Sequence, residues 1–314
     1  MKKPKSKALQ IIECAGLYAA VAVVRVLPLR VLHSMCRVLG GLLYAIMKRR
    51  REIALNNLRF AFGREMTDKE IRRIARRSCQ SFVLTGAEML RSPFRFEGAW
   101  TLHDKRYQTR HLEEHFRKAK RIHDESGGCI FVTPHLGNWE FLPYVSALIG
   151  ISLAIVMRPM DNPYLERAIL SSRVASGQVM IPKRNAMFAL ERMLRHGKSI
   201  GMLPDQSTGR GLRVEFFGRK ATATPIPALL AVTHKRPIVV VAACRTDDPY
   251  HFEGFVSDPI RPEENPAGEQ AEIVRITREI NARMEEVIRK YPEQYLWMHN
   301  RWKETGRKAI FAGV

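Results

Sequence analysis

His135 and Glu140 stand five residues apart at the end of an apolar run, in the segment CIFVTPHLGNWE of residues 129–140. A histidine paired with a carboxylate is a common means of making a neutral imidazole basic enough to take a proton from an alcohol. Whether the pair can do this depends on what positions it. A strand of CIFVT type is buried and rigid, so residues just beyond its end are held in place. Gly137 permits a tight turn, and Asn138 suits the N-cap of a helix reading WEFLPYVSALIG. Glu140 then falls in the first helical turn, within reach of the imidazole. The same residues also have a bland reading: a hydrogen-bonded structural histidine, and a glutamate complementing a helix N-terminus.

Arg158 and Asp205 follow apolar runs in the same way. Strand-like runs at 129–133, 152–157, 178–182, 199–203 and 237–244 alternate with helical runs at 138–149, 162–176, 185–196, 225–235 and 267–290. The alternation predicts an α/β domain with a largely parallel sheet flanked by helices. Active residues in such folds gather at the C-terminal ends of strands, so His135, Arg158 and Asp205 point to one site. Upstream, Thr67-Asp68-Lys69-Glu70 is a capping box opening a helix through about Arg91.

Two further patterns look catalytic but sit in the wrong context. Gly197-Lys198-Ser199-Ile200-Gly201 matches a nucleophile elbow, which needs a strand before the serine and a helix after it; here the order is reversed. His111-Leu112-Glu113-Glu114-His115 matches an inverted zinc-binding pattern, yet it lies in a cationic stretch with no apolar flank, as a solvated helix face would. The five cysteines (Cys14, Cys36, Cys79, Cys129, Cys244) form no CxxC pair and read as buried thiols of a reducing compartment. No metal and no cofactor is expected.

The chain has 314 residues, 46% of them hydrophobic, enough to bury a core. Its net charge of +21 is unevenly placed: the first 121 residues carry +17 and the remainder +4. The N-terminus is apolar from about Ala8 to Leu29, near the ~20 residues that span a bilayer, with Glu13 and Arg25 weakening that case. It lacks the small-residue cleavage site of a signal peptide. A second, amphipathic segment, VLHSMCRVLGGLLYAIM, ends in Lys48-Arg49-Arg50-Arg51 and suits an anionic membrane surface. A hydrophobic hairpin packed on the domain is the alternative. Residues 1–52 are thus expected to be a helical membrane anchor, and 53–314 the catalytic domain. A nucleic-acid binder is disfavoured, since no recognised motif accompanies the charge.

Five blocks, in order, resemble the late (lauroyl/myristoyl) acyltransferases of lipid A biosynthesis, within the lysophospholipid acyltransferase superfamily. They are HLGNWE at 135–140, Arg158-Pro159 with Asp161-Asn162-Pro163, Leu203-Pro204-Asp205-Gln206, Phe216-Phe217-Gly218 leading to Ala221 and Thr224, and YLWMHNRWK at 295–303. The resemblance runs from about Asn56 to Lys303. It implies a glycerolipid-acyltransferase-like fold and transfer of a fatty acyl chain from an acyl carrier protein thioester to a hydroxyl of a lipid A precursor. His135 would be the general base, with Glu140 orienting it, and no covalent enzyme intermediate is needed. Arg158 is expected to bind substrate or stabilise the oxyanion. Asp205 would hold Arg158 or position the acceptor; a structural ion pair between the two is the alternative. Gln206, Phe217 and Gly218 are expected to line the pocket, while Trp297, His299 and Arg301 support the fold. The implied partners are the carrier-protein thioester (or acyl-CoA), an anionic glycolipid and a membrane surface, with no nucleic acid. The implied location is the inner membrane, catalytic domain on the cytoplasmic side. An acyl-CoA-dependent enzyme acting on another glycolipid, such as a phosphatidylinositol mannoside, shares these motifs.

Overall fold

Among the described residues, five helices precede the first strand. The computed structural model describes residues 6–91, 110–157, 159–175, 177–209, 211–248 and 251–303. α1 (Lys7–Val26) is capped by Ser6, whose hydroxyl accepts the Leu9 N–H. α2 (Leu29–Ile46) follows, then α3 (Lys48–Phe62) and α4 (Asp68–Arg91). The capping box forms at the head of α4: the Thr67 N–H donates to Glu70 Oε2 at 2.8 Å, and the Glu70 N–H donates back to Thr67 Oγ1. The basic cluster opens α3 rather than ending α2, and position 52 lies inside that helix.

The remainder alternates. In order come α5 (Arg110–Ser126), β1 (Ile130–Val132), α6 (Leu142–Leu148), β2 (Leu153–Met157), α7 (Pro163–Ala175), β3 (Val179–Pro182), α8 (Ala186–Arg195) and β4 (Ser199–Met202). Then follow β5 (Leu212–Phe216), β6 (Arg219–Ala223), α9 (Ile226–His234), β7 (Ile238–Arg245), β8 (Phe252–Val256), α10 (Glu269–Lys290) and a 3-10 turn, Pro292–Gln294. The main sheet runs β3-β2-β4-β1-β7-β8, parallel except for β8 against β7. Its inner strands are apolar throughout because helices cover both faces. β7 is buried at every position. The predicted α/β class is therefore correct, and all five expected strands form.

β1 and β4 lie side by side, with Ile130 beside Ile200 and Val132 beside Met202. Their C-terminal ends thus open at one place, although 70 residues separate them in sequence. Three strands were not anticipated: β8, and the β5–β6 hairpin, whose Phe217 and Gly218 both have positive φ (53° and 67°) as a two-residue hairpin turn requires. α6 is also shorter than expected, since its regular turns begin only at Leu142.

The N-terminal helices are packed on the domain. Leu29, Leu32 and Cys36 of α2 are buried against Leu84 and Ala87 of α4. At Gly40 the two helix backbones come so close that a Cβ would lie 2.4 Å from Gln80 Cα. α1 and α2 are both long and apolar enough to serve as membrane anchors.

Candidate active site

The segment after β1 carries His135, and the segment after β4 carries Asp205. His135 Nδ1 lies 2.7 Å from Asp205 Oδ1, and the His135 backbone N–H donates to Asp205 Oδ2 at 2.9 Å. A carboxylate only accepts, so Nδ1 bears the proton and Nε2 presents its lone pair. Asp205 is buried, while the His135 side chain keeps 18% of its surface open. The Gln206 amide nitrogen is 3.4 Å from Nε2, and the Trp139 ring packs edge-on to the imidazole with centroids 5.2 Å apart.

The histidine's loop is clamped by its backbone. His135 O accepts the Leu296 N–H, the Gly137 N–H donates to Gln294 O, and the Asn138 N–H donates to Ala243 O. From α4, the Thr85 hydroxyl donates to Gly137 O at 2.8 Å. Gly137 has φ 60°, and a Cβ there would stand 2.1 Å from Ala243 O, so this close approach admits only glycine. Asn138 Oδ1 accepts the Phe141 N–H and so holds the turn that leads into α6, whose N-cap is Phe141 and not Asn138 as expected. Its Nδ2 donates to Glu88 Oε2, and that carboxylate is bound by the buried guanidinium of Arg245. A buried ion pair thus braces the loop from behind.

Glu140 does not meet the ring nitrogen, contrary to its expected orienting contact. Its Oε2 accepts Arg173 Nη2 from α7 at 2.6 Å. The carboxylate on the imidazole is Asp205, supplied by a neighbouring strand end. Asp205 was expected to hold Arg158 or the acceptor; Arg158 itself lies outside the described residues. Phe217 also departs from expectation: it packs edge-on against Phe62, Phe216 and Trp297 in the core, and Gly218 completes the hairpin turn. Trp297 and Arg301 are fully buried, as fold-supporting residues should be. His299 Nε2 accepts the Ser207 N–H, steadying the segment after Asp205.

Burial pushes the His135 imidazole downward, but the Asp205 charge and hydrogen bond, helped by the Glu140 charge, outweigh it and hold the pKa above its ordinary value. Burial likewise pushes Asp205 up, and the imidazole's charge, its Nδ1–H and the His135 backbone N–H bring it below the usual carboxylate range. Tyr295, buried beside Asp205, has its phenol held well above normal by burial and by that carboxylate. The opposed shifts of His135 and Asp205 are those of a tightly coupled acid–base pair. Ser199, the serine of the elbow-like pattern, is the buried first residue of β4 and its Oγ accepts the Cys129 N–H. Among the described residues, no three His, Cys, Asp or Glu side chains gather as a metal site would need.

Arg173 had no sequence signal beyond a place in a predicted helix. Glu88 and Arg245 were equally silent, since a buried pair 157 residues apart leaves no local pattern.

Comparison with known proteins gives the family of the chain. The chain is 26% identical over 280 residues to the lipid A biosynthesis palmitoleoyltransferase of Escherichia coli (strain K12), covering 88% of this chain and 86% of that protein. It is 27% identical over 286 residues to the lipid A biosynthesis lauroyltransferase of the same organism, covering 88% and 87%. A lipid A biosynthesis acyltransferase of Haemophilus influenzae is 24% identical over 270 residues, covering 84% and 81%. Residues 2–304 match the profile of the bacterial lipid A biosynthesis acyltransferases, and the chain belongs to that family of O-acyltransferases.

Proposed function

We propose that this enzyme carries out a secondary acylation of lipid A, moving a fatty acyl chain from an acyl carrier protein thioester to a hydroxyl of an anionic lipid A precursor at the inner membrane. The observation that carries the reading is the His135–Asp205 pair, with Nδ1–H engaged and Nε2 open. Nε2 takes the acceptor hydroxyl's proton as that oxygen attacks the thioester carbonyl. The tetrahedral oxyanion then collapses, the C–S bond breaks, and the imidazolium returns its proton to the departing thiolate. Asp205 fixes the tautomer and offsets the imidazolium charge.

Glu140 and Arg173 take a supporting role. The Glu140 charge adds to the basicity of His135, and Arg173 holds that carboxylate in place. Arg158 and Gln206 are assigned to substrate binding, Arg158 by its position after β2. The +17 carried by the first 121 residues would attract both a phosphorylated glycolipid and an acidic carrier protein. The catalytic domain faces the cytoplasm in this reading, where carrier-protein thioesters are made.

Mass spectrometry of lipid products, after incubation with carrier-protein thioesters and a lipid A precursor, tests the proposal. A product heavier by one acyl chain, absent with His135→Ala, supports it. Transfer only from acyl-CoA, or only to another glycolipid, would replace it.

A further inference from the structure

We propose that α1 and α2 lie flat in one leaflet, as a platform fused to the catalytic domain, and do not cross the bilayer. The proposal rests on the reading of a membrane-attached enzyme and specifies how it is attached. The occupant of the exposed apolar faces is a leaflet containing anionic lipid.

α1 has the length of a spanning helix, about 30 Å for its 20 residues. Yet both of its ends are bound to the same folded domain. Near the start, Asn162 Nδ2, just before α7, donates to Gln10 O and to Glu13 Oε2, each at 2.9 Å. Near the finish, Arg91 at the end of α4 donates to Val24 O at 2.8 Å and to Leu27 O. A crossing α1 would carry these two clasps to opposite faces of the membrane. Asn162 and Arg91 would then be separated by the hydrocarbon core, which one water-soluble domain cannot straddle.

α2 reaches the same conclusion by a different route. Its surface divides into three stripes at helical spacing. Leu29, Leu32, Cys36 and Gly40 face α4 and are buried. Arg30, His33, Ser34 and Arg37 form a polar stripe along a groove shared with Arg77 and Gln80 of α4. Val31, Val38, Leu39, Leu42 and Ile46 form an exposed apolar stripe, with Val38 at 64% and Ile46 at 75% exposure. Arg37 sits at the middle of the helix, where a spanning arrangement would place its charge at the bilayer centre. Gln80 Nε2 donates to Arg37 O, and the Gly40 contact locks the two helices together. Spanning by α2 would therefore drag α4 into lipid along with Arg72, Arg73, Arg76 and Arg77. A helix with one stripe on protein and one stripe open beside cations is built for an interface. Lys48 and Arg49 are exposed just past its end, where they meet anionic headgroups.

Sidedness and depth test the arrangement. In full-length chain with Cys14→Ser, Lys7→Cys and Pro28→Cys, made separately, place a thiol at each end of α1. The protein is reconstituted into sealed phosphatidylethanolamine–phosphatidylglycerol vesicles with the catalytic domain outside. A membrane-impermeant maleimide should label each thiol from outside; labelling of either one only after permeabilisation would overturn the proposal. Environment-sensitive dyes on Val31→Cys, Leu39→Cys and Ile46→Cys, which span about 22 Å of helix, should be quenched equally by shallow-brominated lipid. A profile deepest at Leu39→Cys, with its ends shallow, would also overturn it. These side chains face away from the protein, so acyl transfer by the labelled variants should persist and report an intact fold. Failure of the chain to bind vesicles while still transferring acyl groups in detergent would remove the platform and leave the proposed reaction standing.

Discussion

Asp205 grips His135 twice, one carboxylate oxygen taking the ring Nδ1–H and the other the backbone N–H of the same residue. Ring rotation, tautomer and main-chain position are thus set by a single side chain. Asp205→Asn keeps the shape but offers a donor where the ring needs an acceptor. We expect it to lower turnover by ~10²–10⁴, close to the loss from His135→Ala. In a single-turnover kinetic cycle the double variant should lose little more than either single variant, because the two act as a unit. Additive losses would separate Asp205 from the base.

The pH profile should follow the imidazole. Transfer requires neutral His135, whose pKa in the folded protein stands above 6.5. Activity should therefore fall as pH drops through that raised value, and Asp205→Asn should move the limb to lower pH. Stability runs the opposite way for this group. The raised pKa contributes stability fully below 6.5 and loses it as pH rises through the folded value. Asp205, held below its ordinary 3.8, contributes stability above that value and loses it as pH falls further. Rate measurements and thermal melts across pH would separate the two effects.

Glu140 should influence the rate without acting on the substrate proton. Glu140→Gln removes a charge that raises the pKa of His135, so the acidic limb should shift downward. Arg173→Met should release Glu140 and disturb its position, with a loss of about 10–100-fold where one charge-assisted contact supports the site. Arg173→Lys, which retains charge but not the planar fork, should recover only part of that loss. Normal pH limbs in all three variants would confine this pair to the fold.

How much of this was visible beforehand depends on distance along the chain. β1, β2, β4 and β7 announced themselves as apolar runs, as strands of the sheet interior do, and the edge strand β3 did so although Val179 and Pro182 are exposed. β5 and β6 did not: Arg213, Glu215, Arg219 and Lys220 make half of that hairpin polar. The placement of His135 and Asp205 at strand ends was also legible. Their pairing was not, because it depends on β4 inserting between β2 and β1, a crossover order that no local pattern records. Glu140 looked like the partner only because it was near in sequence; its nearest cation came from α7, 33 residues on.

The Glu88–Arg245 pair behind the catalytic loop should be strongly asymmetric under mutation. Both side chains are buried, each with 8% of its surface open. Arg245→Met strips the buried Glu88 carboxylate of its guanidinium, leaving Asn138 and the His33 imidazole beside it, and should destabilise the fold by about 3–5 kcal/mol. Glu88→Leu combined with Arg245→Met should recover much of that stability. It should not restore turnover, since Asn138 loses the carboxylate that anchors its Nδ2. Chemical denaturation and kinetics on the same samples would check both halves.

With the proposed platform, the seam between α2 and α4 would make the bilayer a thermodynamic participant in folding. Leu84 and Ala87 of α4 are covered by the same helix whose other stripe is apolar and exposed. Lipid that binds this platform only when it is assembled acts as a ligand of the native state, and raises stability with its own concentration. Detaching the enzyme from the membrane and loosening its catalytic domain then become linked equilibria. A version trimmed of its first helices would be a weaker protein, with the support of its active-site loop diminished, rather than the same enzyme set free in water.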